Sequence, residues 1–445
     1  MRQSNTVVLE KGSGGADAPV LADLLERGLQ ALGSGLDLEQ LAKETGALVR
    51  HRGVATASDL LRLVFGYSAL EYSLRQLGAW ASLLGIAQLS KTALLNRRRK
   101  CPRWLGVLIV LALEQQHLAL PKHLAVRLKV MEASVVCQPG SRGADWRLHL
   151  GFDVAAGCLD QIDLSDGTGS ERADRFDCQA GEIWLGDRAY ALAKSLAHFV
   201  FSGAWLVVRT GWNRLAWQDA LGQPFDLMAW LKQAHVTPSS PQETHVWIPS
   251  PAGRFPLRLV AQALPEAAAE AARRRARQAA RKNHHTVDER SLFTAGFIVL
   301  LSNLPVEPYG PQVVLELYRF RWQIELAFKR LKSLLDLDHL RTQDPQLAQV
   351  YLLSKLLALI WMERPQLQLL AEHPAVFGAQ DRPVSFWRLT ALLWEAVRAQ
   401  IRGVISLDQS LANFPKLLRY LCDEPRARPQ QLAKARSLLA GLGGS

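Results

Sequence analysis

The chain has 445 residues, 49% of them hydrophobic, which is enough for roughly two to four domains with substantial cores. A single small binding module is therefore excluded. Lys and Arg total 53 against 41 for Asp and Glu, and the sequence pI is about 9.7. Such a charge attracts polyanions, which include DNA, RNA and acidic membrane surfaces.

The cysteines and the apolar segments bear on where the protein works. Its five cysteines lie far apart, with no Cys-x-x-Cys pair and no zinc-type spacing, which favours a reduced protein. The start, MRQSNTVVLEKGSGG, lacks the apolar core of a signal peptide. The longest apolar run, WLGVLIVLAL at 104–113, is about half the ~20 residues that span a bilayer. We expect a soluble, intracellular protein without a membrane partner.

Apolar residues recur at helical spacing from residue 18 to about 120, which predicts a helical N-terminal domain over 1–120. The domain contains a basic run beside Trp104 whose charge density suits phosphate contact. An exposed basic helix end is also common in proteins that bind no nucleic acid. Together with the net charge, the run favours DNA binding through Arg97, Arg98, Arg99 and Lys100.

Short alternating segments follow. VRLKVMEASVV (126–136), DWRLHLGFDVA (145–155) and CLDQIDLS (158–165) predict a three-stranded meander. A strand EIWLGD (182–187), a helix AYALAKSLAHFV and a strand AWLVVRT (204–210) come next. This order predicts an α/β domain, a mixed sheet with helices on both faces, whose first part is 121–210.

Residues 211–293 break this rhythm and are interpreted as a largely β insertion subdomain. It ends in an Ala/Arg helix that suits contact with a DNA backbone, although a solvated surface helix explains it equally well. The basic residues of that helix are Arg273, Arg274, Arg275, Arg277, Arg281 and Lys282. The second part of the α/β domain, 294–345, has a buried strand GFIVLLSNLP and one long helix, and 346–445 is a helical, Leu-rich C-terminal domain.

The long helix, QVVLELYRFRWQIELAFKRLKSLLDL, carries a polar stripe. At 100° per residue the stripe is about 80° wide, and it comprises Tyr318, Arg321, Glu325, Lys329 and Lys332. An adjoining apolar stripe seats the helix against a sheet; it comprises Phe320, Ile324, Ala327, Phe328, Leu331 and Leu335. A solvated face with an ordinary Glu325–Lys329 salt pair is the alternative. A carboxylate flanked by cations suits metal-assisted attack on a phosphodiester.

A site with two metal ions needs further carboxylates. Glu132 lies within the first strand, and Asp187 ends the strand EIWLGD and is followed by Arg188 and Tyr190. Taken alone, each is only an acid in a strand. These two residues are the candidates to share metal ions with Glu325.

At these residues the chain resembles a known family. The chain carries Tyr318, Arg321, Glu325 and Lys332, separated by two, three and six residues. This spacing resembles the signature of cut-and-paste bacterial insertion-sequence transposases of the IS-four group, which have an RNase H-like catalytic domain. The resemblance extends over about residues 35 to 345 through four further segments, namely DWRLH at 145–149, GDRAY at 186–190, LLSNLP at 300–305 and LGIAQLSKTALLNRRRK.

The resemblance implies a triad of metal-binding acids. Asp187 matches the second acid and Glu325 the third, but Glu132 stands where the family has Asp, ahead of Pro139 and Gly140. The extra methylene moves the carboxylate by up to roughly 1.5 Å, whereas such sites tolerate about 0.5 Å. We therefore expect reduced activity unless the strand or the rotamer compensates.

The resemblance also implies partners. The cofactor is Mg²⁺, for which Mn²⁺ substitutes, with two ions held by the three acids. The chain is expected to bind double-stranded DNA of the transposon terminal repeats and the target, as a homodimer joined through its C-terminal helices, in the bacterial cytoplasm near the nucleoid. Trp212 or Phe297 is a candidate to stack on a flipped base, although a core role suits Phe297 better. The DNA contacts are Tyr318, Arg321, Lys329, Lys332, Arg188, Tyr190 and the basic run at 97–100.

Three functions fit these observations. The first is a transposase that cuts a strand at the element end and transfers it to a target. The second is a transposase-derived DNA-binding regulator that has lost cutting through Glu132. The third is an RNase H-like nuclease that cleaves DNA and never joins strands.

Overall fold

The computed structural model describes residues 36–118, 127–141, 143–234, 236–372, 384–402, 438–439 and 441. The first part of the predicted helical domain, up to residue 35 and including the segment LADLLERGLQAL at 21–32, lies outside the described residues. The same holds for most of the Leu-rich sequence beyond 402, where the dimer contact is expected.

The N-terminal part of the described chain is helical, as its apolar spacing predicts. Its helices are α1 (Leu38–Glu44), α2 (Ala57–Ser68), α3 (Leu74–Leu83), α4 (Lys91–Arg99) and α5 (Pro102–Leu118). The first four begin after a side chain that accepts a backbone N–H of the first turn; these caps are Asp37, Thr56, Ser73 and Ser90. The extent of this part as a separate domain stays a prediction.

The centre of the protein is one eight-stranded sheet in the order β3-β2-β1-β4-β5-β8-β7-β6. The first three strands form the predicted antiparallel meander, and β4 and β5 run parallel to β1. The strands are β1 (Leu128–Val136), β2 (Trp146–Asp153), β3 (Cys158–Asp166), β4 (Ile183–Gly186), β5 (Trp205–Arg209), β6 (Gln242–Ser250), β7 (Gly253–Ala263) and β8 (Phe297–Ser302). The sheet is mixed, which confirms the α/β class.

Both faces of the sheet are covered. Consecutive side chains of a strand point to opposite faces, and the neighbours Val130 and Met131 of β1 belong to two different hydrophobic clusters. The Met131 cluster includes residues of α6 (Ala193–Ser202). The Val130 cluster includes residues of α10 (Pro311–Arg319) and α11 (Trp322–Leu335). Helices on both faces are thus confirmed.

The inserted segment differs from the prediction of a largely β subdomain. Its described part contains the helices α7 (Leu227–Gln233), α8 (Glu266–Lys282) and α9 (Glu289–Thr294) beside the hairpin of β6 and β7. Moreover, β7 pairs antiparallel with β8, with Val260 opposite Leu300, so the hairpin extends the central sheet. An unpaired β8 edge would expose backbone hydrogen-bonding groups. The hairpin covers that edge, which a pattern confined to one segment cannot show.

The single long helix predicted after β8 is two helices, α10 and α11, joined at Phe320 and Arg321. At the junction the N–H groups of Phe320 and Arg321 donate to the carbonyls three residues earlier, at 3.0 and 3.1 Å. This tighter turn replaces the α-helical pattern. The predicted apolar stripe is buried throughout, as expected. Two further helices are α12 (Pro345–Glu372) and α13 (Phe386–Ile401), and within the described ranges no helix is long and apolar enough to cross a membrane.

Candidate active site

The strands β1 and β4 bring Glu132 and Asp187 to the same region. They run parallel with Val130 opposite Leu185, and both of these side chains belong to the cluster that includes α11 residues. Glu132 and Asp187 each follow by two positions, so they lie on the face that α11 covers. The Asp187 carboxylate accepts the Ala189 N–H at 2.8 Å and so caps a short 3-10 turn.

The helix α11 supplies Glu325, and Arg321 at its start links the helix to the sheet. One amino group of the Arg321 guanidinium, Nη1, donates to Oε2 of Glu132 at 2.8 Å. The other, Nη2, donates to Oε1 of Glu325. The side chains of Glu132, Arg321 and Glu325 are 18, 19 and 33% exposed, respectively. A single cation therefore joins two of the three predicted acids in a site that solvent reaches only partly.

The acids of this site repel one another. Burial raises the pKa of Glu132 to about 7, and the nearby charges of Asp187, Glu325 and Glu171 act in the same direction, whereas Arg321 opposes them. Burial also raises the pKa of the Tyr318 hydroxyl to about 12. Clustered, half-buried carboxylates favour a positive charge among them. The electrostatics of the site thus suit a cation.

The donor set fits a hard metal ion in its chemistry, because Mg²⁺ prefers carboxylate oxygens. The arrangement of these carboxylates, however, is not that of a metal site. Across the ranges that the structure describes, no three His, Cys, Asp or Glu side chains are grouped so that they could hold an ion. Two of the three carboxylates instead bind the guanidinium of Arg321.

Further cations lie beside the acids. Arg214 donates through Nε and Nη2 to the backbone oxygen of Arg188, at 3.3 and 3.1 Å. The pKa of Arg188 is lowered mainly by its partial burial and, to a smaller extent, by the positive charge of Arg209. Arg209 and Arg214 were not among the residues predicted from the sequence. Arg209 had a usable signal, because it ends β5, the parallel neighbour of β4, and parallel strands end at the same edge of a sheet.

A fourth carboxylate near the site, Glu171, was also missed. It lies in the loop after β3, where Arg147 Nη1 binds its Oε1 at 3.0 Å. Burial and the charge of Asp187 raise the pKa of Glu171. No motif surrounds Glu171 in the sequence, and its closeness to Asp187 is evident only in the folded structure.

The two lysines of the predicted stripe have different surroundings. Lys329 is exposed, and its amino group lies 5.8 Å from the centre of the Trp387 ring. Lys332 is half-buried in the last turn of α11. Phosphate contact by both lysines stays a prediction.

Two of the residues predicted to contact DNA are buried. Arg98 is 1% exposed, and its guanidinium lies 3.8 Å from the centre of the Tyr67 ring. Tyr190 is fully buried, and burial raises the pKa of its hydroxyl. Neither side chain reaches the surface, because each packs in a hydrophobic cluster or against it. The helical pattern did not show that these faces are covered.

The remaining cations of the basic run have protein partners or face solvent. Arg97 donates to the backbone oxygens of Arg50 and, at 2.9 Å, Arg52. Arg99 donates through Nε to Asp344 at 2.9 Å. Lys100 is exposed. DNA binding by these three residues stays a prediction.

The basic residues of the helix α8 fall into two groups, those paired with acids of the same helix and those exposed to solvent. Arg273 contacts Glu266 and Glu270 at 2.9 and 3.1 Å, and Arg277 contacts Glu270 at 3.2 Å, so these two charges are offset locally. The other basic residues of α8 are exposed, namely Arg274, Arg275, Arg281 and Lys282.

The two aromatic candidates for base stacking are packed against neighbouring side chains. The Trp212 indole donates to Ser291 at 3.0 Å beneath the Arg290 guanidinium. Phe297 lies against Phe293, with 5.1 Å between the ring centres. The core role favoured for Phe297 agrees with this packing, and base stacking by either ring stays a prediction.

Comparison with known proteins places these residues in a family. A family model described as the transposase DDE domain matches residues 170–361. The chain is 36% identical, over 74% of its length and 90% of the relative, to the transposase for insertion sequence element IS421 of Escherichia coli. It is 25% identical, over 52% of its length and 55% of the relative, to the transposase for element IS231F of Bacillus thuringiensis subsp. israelensis. The chain therefore belongs to the family of insertion-sequence transposases that contain a DDE domain.

Proposed function

We propose that this protein binds the ends of an insertion sequence element, cleaves a DNA strand there and transfers that strand to a target. The observation that carries the proposal is the meeting of Glu132 and Arg321, which are 189 positions apart, beside Glu325. The fold brings strand and helix carboxylates together with cations. Family membership gives that arrangement its reaction class, phosphoryl transfer on DNA.

We further propose that the catalytic domain is RNase H-like. The support is the strand order β3-β2-β1-β4-β5, in which three antiparallel strands are followed by two strands parallel to β1. The acids lie on strands at the centre of that order and on the helix that packs across it. Such a scaffold fixes the acids on rigid elements, as a catalytic site requires.

The proposed cofactor is Mg²⁺, with Mn²⁺ as a substitute, and two ions are expected. Glu132, Asp187 and Glu325 are the residues that would hold them. Bound ions would activate the attacking oxygen and offset the charge of the leaving oxygen. The site's own carboxylates repel one another and so favour cations, which is the basis for this assignment.

The chain's own residues then bind and orient the DNA. Arg321, Lys329 and Lys332 would bind phosphate oxygens, and Tyr318 would contact the strand beside them. In hydrolysis, water attacks phosphorus and the 3′ oxygen leaves with the electron pair and takes up a proton. In transfer, that 3′ hydroxyl loses its proton and attacks the phosphorus of a target phosphodiester. A new P–O bond forms as the target's P–O3′ bond breaks, and the target's 3′ oxygen leaves with the electron pair and takes up a proton.

Both element ends must be processed together, which favours a homodimer on DNA as the working form. The C-terminal helices are the proposed contact between the two copies of the chain, by analogy with related folds. Because the substrate is bacterial DNA, we expect the protein at the nucleoid. The net charge of +12 supports binding to two DNA partners, the element ends and the target.

The test uses duplex DNA bearing the element's terminal repeat, a target plasmid and Mg²⁺ or Mn²⁺. We expect the unaltered chain to cleave and to integrate the repeat, and Asp187→Asn to lose both activities while it still binds DNA. Cleavage without integration would favour the nuclease. Binding without cleavage, rescued by Glu132→Asp, would favour the regulator and contradict the proposal.

A further inference from the structure

Arg321 contacts the acids in a way that its predicted role as a phosphate contact does not explain. Its two amino groups bind one oxygen each of Glu132 and Glu325, and the guanidinium is four-fifths covered. The two bonds take up an oxygen on each carboxylate that a metal ion would need. Arg321 and an ion therefore compete for the same ligands.

The backbone position of Arg321 makes it dependent on these two acids. It is the residue that precedes the first turn of α11, with backbone angles φ −51° and ψ −31°. A cation is disfavoured at a helix N-terminus, where the helix dipole is positive. The negative charges of Glu132 and Glu325 offset this unfavourable position. If other cations neutralise these two carboxylates, Arg321 loses its stabilising partners.

Phosphate is the chemical group that matches a released guanidinium. The planar fork of Arg binds two oxygens of a phosphate as readily as two carboxylates. The cations Arg188, Arg209 and Arg214 gather beside the same acids, so a DNA backbone approaching them comes close to Arg321 as well. DNA thus offers Arg321 a new partner as it vacates the acids.

We propose that Arg321 is a latch that keeps metal ions out of the site until element-end DNA binds. Without DNA, the guanidinium joins Glu132 to Glu325 and excludes the ion. When DNA binds, a backbone phosphate binds the Arg321 guanidinium, and Glu132 and Glu325 become free to bind metal ions. The inference rests on the proposed function and adds a regulatory step to it, because it couples metal binding to the presence of substrate.

The test is a titration with Mn²⁺ alone, followed by electron paramagnetic resonance of free and bound ion. The variants are Arg321→Gln and, as a matched control, Arg319→Gln, which removes an exposed Arg from the preceding helix. We expect Arg321→Gln to bind Mn²⁺ at least about tenfold more tightly than the unaltered chain without DNA. The Arg319→Gln control should match the unaltered chain, and circular dichroism checks that each variant is folded.

Adding a duplex with the terminal repeat should raise the Mn²⁺ affinity of the unaltered chain and leave Arg321→Gln nearly unchanged. Equal or weaker Mn²⁺ binding by folded Arg321→Gln would overturn the latch. Asp187→Asn separates this failure from that of the proposed function. If Asp187→Asn lowers Mn²⁺ affinity and Arg321→Gln does not raise it, only the latch is wrong. If neither changes it, the metal site itself is wrong.

Discussion

Arg98 and Arg321 are both arginines that the sequence assigns to DNA, yet their surroundings separate them. Arg98 is buried against the ring of Tyr67. Arg321 is partly exposed and bound to two carboxylates. A helical wheel gives the face on which a residue lies and says nothing of what covers that face. At the scale of the residue, the surroundings decide whether a cation serves packing or chemistry.

The burial of Arg98 leads to a prediction about DNA binding. Arg98→Met keeps a long, flexible side chain in the same space, so we expect the affinity for DNA and its salt dependence to be unchanged. Lys100→Met removes an exposed charge and should reduce the salt slope by about 1 if that lysine binds phosphate. Fluorescence anisotropy with labelled duplex at several salt concentrations measures both. A tenfold loss for folded Arg98→Met would show that the side chain reaches DNA.

At the scale of the element, α11 was the most predictable part of the site. Its apolar stripe is buried and its polar stripe lies beside it, because a 3.6-residue period fixes both faces. The break before it was not predictable, since no Gly or Pro marks Phe320 and Arg321. The helices on either side of the break contact different strands, α10 contacting β5 and β7 and α11 contacting β1. Glu325 binds Arg321 one turn away, but the second partner of Arg321 is Glu132, 189 positions away, which a local pattern cannot supply.

The far end of α11 is held by a buried lysine. Lys355 of α12 donates to the backbone oxygens of Leu335 and Asp336 and lies 2.6 Å from the hydroxyl of Tyr351. Asp336, which ends the helix, has a left-handed φ of 47°. These bonds satisfy carbonyls that the helix leaves free at its end.

Removing that lysine should loosen α11. We expect Lys355→Met to lower the free energy of unfolding by about 1–3 kcal/mol, because the buried carbonyl of Leu335 and the partly buried carbonyl of Asp336 lose their donor. Urea denaturation followed by circular dichroism measures the change. Lys43→Met, on the exposed side of α1, is the control and should change the value little. An equal effect in both variants would contradict the role of Lys355.

At the scale of the whole molecule, the three parts of the chain are joined by charged contacts. Arg99 of α4 binds Asp344, which precedes α12, at 2.9 Å. Glu363 of α12 accepts the Leu159 N–H of β3 at 3.1 Å and an amide N–H of Gln116 from α5 at 3.3 Å. The N-terminal helices, the sheet and the C-terminal helix therefore form one connected body across these contacts.

Glu363 gives this body a dependence on pH. Burial raises the pKa of Glu363 from 4.5 to about 7, so the folded state binds more protons than the unfolded state between these values. Stability contributed by the protonated acid is full below pH 4.5 and is lost as the pH rises through 7. Glu363→Gln should therefore be more stable than the unaltered chain at pH 8, with a smaller difference at pH 5.

Urea midpoints at the two pH values provide the measurement. Glu395→Gln is the matched control, because Glu395 lies exposed on α13 beside Arg398. It should follow the unaltered chain at both pH values. A Glu363→Gln variant that is less stable than the unaltered chain at pH 8 would show that the charged carboxylate stabilises the folded protein, which would contradict the raised pKa of Glu363.

The most direct test of the central claim is strand cleavage at an element end. A duplex with the terminal repeat is incubated with Mg²⁺ and the unaltered chain, Glu325→Gln or Glu316→Gln, an acid of α10 outside the site. We expect the unaltered chain and Glu316→Gln to release a strand with a 3′ hydroxyl, and Glu325→Gln to do so at least about a hundredfold more slowly. Cleavage at an unchanged rate by Glu325→Gln would contradict the central claim.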